Sequence, residues 1–300
     1  MKKILKWTGI GLGSLLALVL IAAAVLYAIG SSKFNKSHQI NVETIAIPTD
    51  SAAVARGEHL VMTMGCVECH GNNLAGNLFI DEAPMGKISA SNLTSGAGGI
   101  GNSYSDADWV RAIRHGVKRN GQAIVIMPSN FYLEMNAKEL GDLIAYLKQT
   151  PPVDNVLPER EMGPIARLIS GVSDELLPAN TIDHSVAIPK EIQPEVTATY
   201  GEYKAIICRA CHGENLAGGL VHGPPGTPAS KNITPDAESG IGKWSEADFF
   251  SAVRDGVRPN GEEINPAMPR WVGNMTDDEL RAIWLYLQSV PPVHTDLAKQ

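Results

Sequence analysis

Charge is missing from one long stretch of this chain: no Asp, Glu, Lys or Arg lies between Lys6 and Lys33. That gap excludes a solvated surface helix there. Cysteine is scarce. The chain has four in 300 residues, and two short motifs use all of them, so none is left for a structural disulfide. Basic tracts are absent too. Lys and Arg are scattered and the net charge is −7, which argues against a nucleic-acid partner. Nor is this a disordered acidic chain, because 44% of it is hydrophobic and only 19% charged, enough to bury a core. Its length allows about two domains.

The two cysteine motifs organise what is there. Cys66-Val67-Glu68-Cys69-His70 recurs as Cys208-Arg209-Ala210-Cys211-His212. Cys-x-x-Cys-His is the attachment signature for a c-type haem. On one turn of helix, positions i, i+3 and i+4 share a face. Two thiols can therefore bond to the porphyrin vinyl groups while the imidazole reaches the iron. The competing readings are half a zinc site and a thioredoxin-like redox pair. A histidine directly after the second cysteine, in both copies, fits neither well. Cys66, Cys69, Cys208 and Cys211 are thus expected to hold two covalently bound haem c groups, with His70 and His212 as proximal iron ligands.

The uncharged stretch has its own meaning. Gly9 to Ile29 is almost wholly apolar and, at the rise of a helix, about 30 Å long, enough to cross a bilayer. Lys2, Lys3 and Lys6 precede it and set the N-terminus on the cytoplasmic side. A cleaved signal peptide is the rival, with Ala22-Ala23-Ala24 imitating a cleavage site. The apolar run continues past those alanines, which favours an uncleaved anchor. Both readings export the rest of the chain to the periplasm or extracytoplasmic space. Residues 1–32 are read as the anchor and 33–50 as a polar tether.

Two similar units of about 100 residues follow, at 51–153 and 195–293, with a connector at 154–194 and a tail at 294–300. Asp50 or Ser51 caps a first helix running to Gly65. The Gly-, Asn- and Ser-rich segment 72–101 reads as a loop. Ser105 caps a middle helix that should stop at Gly116. Asn136 caps a last helix ended by Pro151-Pro152. The second copy repeats these marks at an offset of 140–142 residues. Asn92-Leu93-Thr94 matches Asn232-Ile233-Thr234, Ser105 matches Ser245, and Pro151-Pro152-Val153 matches Pro291-Pro292-Val293. The repeat fades in the leading helix, where Gly57 lies nine residues before Cys66 but Gly201 lies seven before Cys208. The proline-rich connector reads as ordered but irregular, with a short helix at 165–170.

A sixth iron ligand must come from elsewhere in each copy. Met127 and Met268 each precede proline after an Asn-Gly turn, 57 and 56 residues beyond their histidines. A lone methionine is more often core filler. A pair at matched positions points to ligation, which raises the potential and fills both axial positions. Met62, Met64, Met85, Met135 and Met275 are read as unmatched. His59, His115 and His222 lack histidine counterparts and are read as surface or structural. Arg114 and Arg254, on the middle helices, are candidates for haem propionates, with a solvated helix face as the equal alternative. Tyr104 and Trp244 align as candidates for the haem edge or for plain core packing. Asn92 and Asn232 are read as turn residues.

Each copy resembles a class I cytochrome c domain. More narrowly, Asn232–Pro235, Gly240–Phe249, Arg254–Val257, Pro266–Pro269 and Leu285–Leu287 look like the cytochrome c subunits of bacterial membrane-bound alcohol and sugar-acid dehydrogenases. Many of those carry three haems where this chain has two motifs. The resemblance implies a mainly α protein, with two tandem class I cytochrome c-like domains after one N-terminal transmembrane helix. It implies an electron relay rather than an enzyme, on the outer face of the cytoplasmic membrane. The donor would be a dehydrogenase or quinol-oxidising complex, and the acceptor an oxidase or soluble cytochrome. The alternative is a dihaem peroxidase with one open haem, against which the two Met-Pro loops argue.

Overall fold

A computed structural model of the chain describes residues 2–221 and 226–296. The fold is mainly helical. Helix α1 spans Lys2–Asn35, α2 Ser51–Thr63, α3 Cys66–His70, α4 Asp106–His115, α5 Ser129–Tyr132 and α6 Ala137–Gln149. Then come α7 Pro164–Val172, α8 Ala198–Lys204, α9 Ile206–His212, α10 Glu246–Arg254 and α11 Asp277–Ser289. Three short strands, β1 Asn77–Glu82, β2 Gly86–Ala90 and β3 Glu161–Met162, form an antiparallel sheet in that order.

The capping residues explain where the helices begin. Asp50 accepts from Ala53 N at 2.9 Å and starts α2. Ser105 with Asp108 and Ser245 with Asp248 form reciprocal capping boxes on α4 and α10. Gly116, in the left-handed region, ends α4. Asn136 Oδ1 accepts from Glu139 N at 3.0 Å at the head of α6. By its length and apolar composition α1 can cross a membrane.

Two expectations need correction. Segment 72–101 is not all loop, since β1 and β2 lie in it as a hairpin. The strand signal, Leu78 and Ile80 half-buried with Phe79 outward, is only a few residues long and sits among turn formers. The helix that begins at Lys2 also does not end with the uncharged stretch. It continues to Asn35 because Phe34 is a core residue, 3% exposed.

The contacts divide the chain into two compact units. One comprises Met1–Ile45, Cys69–Met135 and Leu147–Ile188; the other comprises Ala46–Glu68, Asn136–Tyr146 and Pro189–Gln300. In the first, Phe34 packs with Ile88, Val117, Ala123, Val125, Leu177 and Ala179. Strand β3 and helix α7 come from the connector, which is therefore part of a folded body. Its helix α7 is longer than the expected 165–170, with Pro164 at its first position, where a missing N–H costs nothing.

In the second unit, α2 and the front of α6 fold together with the whole second copy. A Cβ on Gly57 would lie 2.0 Å from Asp142 O, and one on Gly201 would lie 1.8 Å from Ala282 O. Asp142 and Ala282 are themselves 140 residues apart, so these are equivalent crossings of a leading helix over a final helix. The repeat therefore extends into the leading helix; the two-residue difference is absorbed between glycine and cysteine. The core here contains Leu216, Phe249, Met275, Leu280, Ile283, Trp284 and Leu287.

A buried polar cluster sits among the helices of this unit. Lys204 Nζ lies 2.9 Å from Glu279 Oε1 and 3.6 Å from Glu139 Oε1. His59 Nε2 meets Glu279 Oε2 at 2.7 Å, and the Tyr203 hydroxyl donates to Glu139. Burial alone would raise the Glu279 carboxyl. The hydrogen bond from His59 and the Lys204 charge outweigh it and hold the group well below the usual carboxylate range.

Candidate haem sites

Both Cys-x-x-Cys-His motifs are helical, in α3 and α9, as the shared-face argument requires. No disulfide joins any of the four cysteines. Burial pushes the Cys208 thiol up to about 12, the reverse of the low-pKa thiolate of a redox pair. Among the described residues, no group of three or more His, Cys, Asp or Glu side chains is placed to hold a metal ion.

The histidines carry the clearest signal. His70 Nδ1 lies 2.8 Å from Ser91 O, and His212 Nδ1 lies 2.6 Å from Lys231 O. A carbonyl only accepts, so each Nδ1 carries the proton and each Nε2 keeps its lone pair for iron. The surrounding protein desolvates both imidazoles and pulls them below the ordinary histidine value, which keeps them in the neutral, ligating form. The donor set and its tautomers fit a covalently attached haem in both copies.

A buried knot holds each of those carbonyls. Asn92 is 1% exposed and Thr94 is fully buried. Asn92 Oδ1 accepts from Thr94 N at 2.9 Å, and its Nδ2 donates to Val153 O at 2.8 Å. Val153 N donates back to Thr94 Oγ1 at 3.0 Å. The second copy repeats the knot: Thr234 N to Asn232 Oδ1 at 2.9 Å, Asn232 Nδ2 to Val293 O at 2.6 Å, Val293 N to Thr234 Oγ1 at 3.1 Å. The knot ties the chain beyond the last helix to the residue that follows Ser91 or Lys231. Asn92 and Asn232 are thus more than turn residues. The sequence signal was the joint repetition of Asn-x-Thr and Pro-Pro-Val, with Thr and Val 59 residues apart in both copies.

The segment after each histidine closes on itself. Gly76 N donates to His70 O and Gly218 N to His212 O, at 2.8 and 2.9 Å. Leu74 and Leu216, each 1% exposed, adopt left-handed backbone with φ of 57° and 60°. Such strain persists only where packing holds it. Its identical recurrence marks this turn as part of the site.

Met127 and Met268 are both half-buried on the Met-Pro loops. The loops start alike: Ile124 N donates to Gly116 O and Ile264 N to Gly256 O, both at 2.7 Å. They then diverge. Ile126, next to Met127, has φ of 68° and its N–H donates to Leu176 O of the connector at 3.0 Å. Met268 is held locally, its N–H donating to Asn265 O at 3.0 Å. The connector thus braces the first loop.

The other methionines require a correction. Met135 and Met275 are matched after all. Each immediately precedes the capping residue of the last helix, and each is 2% exposed. Matched position alone therefore does not single out a ligand, and the half-buried Met127–Met268 pair differs from this fully packed pair. Arg114 and Arg254 have protein acceptors. Arg114, 1% exposed, donates to Leu133 O and, at 2.6 Å, to Val186 O. Arg254 donates to Met275 O at 3.2 Å and Asp277 Oδ1 at 2.6 Å. Any propionate contact has to use their remaining N–H groups. Tyr104 meets Trp109 edge-on at 5.3 Å, and Trp244 packs against the second core. His59 and His115 have structural partners, Glu279 and His184. His222 lies outside the described residues.

Comparison with known proteins bears on the family of each copy. The cytochrome c family matches residues 54–151, and the family of subunit III of cbb3-type cytochrome c oxidase matches residues 194–287. The fructose dehydrogenase cytochrome subunit of Gluconobacter japonicus is 29% identical over 276 residues, 81% of this chain and 54% of that protein. The cytochrome c subunit of the quinone-linked alcohol dehydrogenase of Gluconacetobacter polyoxogenes is 28% identical over 282 residues, 81% of this chain and 57% of that protein. The chain thus spans about half the length of these dehydrogenase subunits. A dihaem c-type cytochrome of Cereibacter sphaeroides is 26% identical over 310 residues, 93% of this chain and 97% of that protein. Residues 54–151 and 194–287 are accordingly two cytochrome c domains, with two covalently bound haem c groups between them.

Proposed function

We propose that the chain is a membrane-anchored dihaem relay on the outer face of the cytoplasmic membrane. It takes electrons from a dehydrogenase or quinol-oxidising complex and delivers them to an oxidase or soluble cytochrome. Domains at 51–153 and 195–293 carry the sites. Cys66, Cys69, Cys208 and Cys211 form the thioethers, and His70 and His212 bind iron through Nε2. Met127 and Met268 supply the sixth ligands. Lys2, Lys3 and Lys6 keep the N-terminus of α1 inside.

Haem c, once attached, supplies a one-electron iron couple at each site. The protein's residues decide its use. Ser91 O and Lys231 O fix the imidazole tautomer and, by drawing on Nδ1–H, make Nε2 a stronger donor. With haem attached, the soft sulfurs of Met127 and Met268 would hold the iron opposite the imidazole face, favour its reduced state and exclude peroxide or oxygen from it. The observation that carries this reading is the duplication of the whole histidine side of the site, down to the knot behind it. Two sites built alike on the histidine side suit passage of electrons better than a division into one reactive and one donating haem.

The test is isolation of the intact protein from its native membranes in mild detergent, followed by spectroscopy with candidate reductants. The relay predicts that a co-purifying dehydrogenase, given its substrate, or a quinol reduces both haems. Reduction of neither haem by any membrane donor would refute it.

A further inference from the structure

Helix α7 carries an apolar face that the core does not use. Ala166 and Ser170 are fully buried, whereas Ile165, Ile169 and Val172 are 44%, 37% and 71% exposed. These three stand at i, i+4 and i+7, a single stripe along the helix. Three branched aliphatic side chains in a row on a helix of nine residues are poorly placed for water.

The neighbour of α7 is the uncharged end of α1. A Cβ on Gly30 would lie 1.8 Å from Arg167 O, and one on Gly171 would lie 2.4 Å from Leu26 O. The two backbones therefore touch, and the end of α7 that bears Val172 lies beside Leu26. Leu26 belongs to the apolar run that ends at Ile29, and Val25 and Ile29 beside it are 51% and 41% exposed. Polar anchors gather around this boundary. Arg167 lies over the Tyr27 ring at 5.6 Å and donates to Ser31 Oγ at 3.1 Å, and Lys33 pairs with Asp174 at 3.2 Å. Tyrosine with lysine and arginine at the end of an apolar helix is the composition of a headgroup layer.

We infer that α7 is a second membrane contact, lying in the outer leaflet boundary with Ile165, Ile169 and Val172 against lipid acyl chains. Its apolar stripe continues the lipid-facing surface of α1. The inference rests on α1 crossing the membrane. Its consequence is that the body formed with the connector is held at a set height on the bilayer and does not swing on a tether.

The test uses the full haem-loaded chain in phosphatidylcholine vesicles containing a lipid with a diazirine on its acyl chain. After irradiation, labelled peptides are identified by mass spectrometry. The expected result is label in peptides covering 9–29 and 164–172, each several-fold above the peptide covering 246–254. Val172→Asp should cut the α7 label several-fold without changing the haem spectrum. Label in α1 but not α7 overturns this inference and leaves the anchor standing. Label in neither overturns the anchor as well. Label of α7 in pure lipid that disappears in native membranes would assign the face to a protein partner and overturn the lipid assignment.

Discussion

Asn232→Ala isolates the knot behind the second haem site. Asn232 is 3% exposed and its Nδ2 serves Val293 O at 2.6 Å, Ser239 Oγ at 3.0 Å and Thr295 Oγ1 at 3.2 Å. Truncation leaves the buried Thr234 N without its acceptor. Thr234 Oγ1 can still turn toward Val293 O, 3.4 Å away, so that carbonyl is not orphaned. One orphaned amide costs about 1–3 kcal/mol and one lost net hydrogen bond about 1 kcal/mol, giving about 2–4 kcal/mol for the domain. A second effect reaches the iron. Lys231 immediately precedes Asn232, and loosening it weakens the 2.6 Å contact to His212 Nδ1. A poorer imidazole donor favours reduced iron. If the bond to the oxidised state weakens by about 1 kcal/mol, the potential rises by roughly 40 mV. Thermal unfolding followed in the visible band and spectroelectrochemical titration read the two effects. Asn92→Ala should do the same at the first site. An Asn232→Ala protein with unchanged melting and an unchanged second potential would refute the assignment of the knot as a positioning device.

Other perturbations separate the remaining parts of the account. Met127→Ala and Met268→Ala should each lower one haem potential, on the order of 0.1–0.3 V, within the range that axial ligands command, and redox titration would show two unchanged waves if the assignment were wrong. Lys204→Met leaves the buried Glu279 and the half-buried Glu139 without the lysine charge between them and should cost about 3–5 kcal/mol in denaturant unfolding at neutral pH. In the wild type the lowered Glu279 group contributes stability present above the ordinary glutamate value and lost as pH falls through its folded value. Burial, with the nearby His184 charge, lowers His115 to about 4. The unfolded chain then binds more protons below about pH 6.5, so stability should fall by up to about 3 kcal/mol between there and pH 4, and His115→Phe should flatten that slope. Gly57→Ala and Gly201→Ala drive a methyl into the facing backbone and should each cost about 3 kcal/mol, measured by thermal melting.

What could be read from the sequence was whatever depended on local spacing. Cys-x-x-Cys-His needs one turn of helix, and α3 and α9 supply it. Ser105, Ser245, Asp50 and Asn136 announce helices because a cap is a contact over three residues. The carbonyls of Ser91 and Lys231 were hidden because any residue type supplies one. The Gly57 and Gly201 crossings were obscured because alignment to the nearest cysteine put the glycines two positions out of step. Met135 and Met275 show the opposite failing: they were matched, and their full burial sets them apart from the half-buried Met127 and Met268. The hairpin of β1 and β2 was invisible because β3, which completes its sheet, comes from more than 70 residues further on.

Carbon monoxide added to the reduced, haem-loaded chain tests the relay most directly, because the relay requires both axial positions of both irons to be filled by protein. The account predicts an unchanged spectrum for the wild type, with one haem opening to the gas in Met127→Ala and the other in Met268→Ala. Ready binding of carbon monoxide at one haem of the wild-type protein would contradict it and point to a reactive iron.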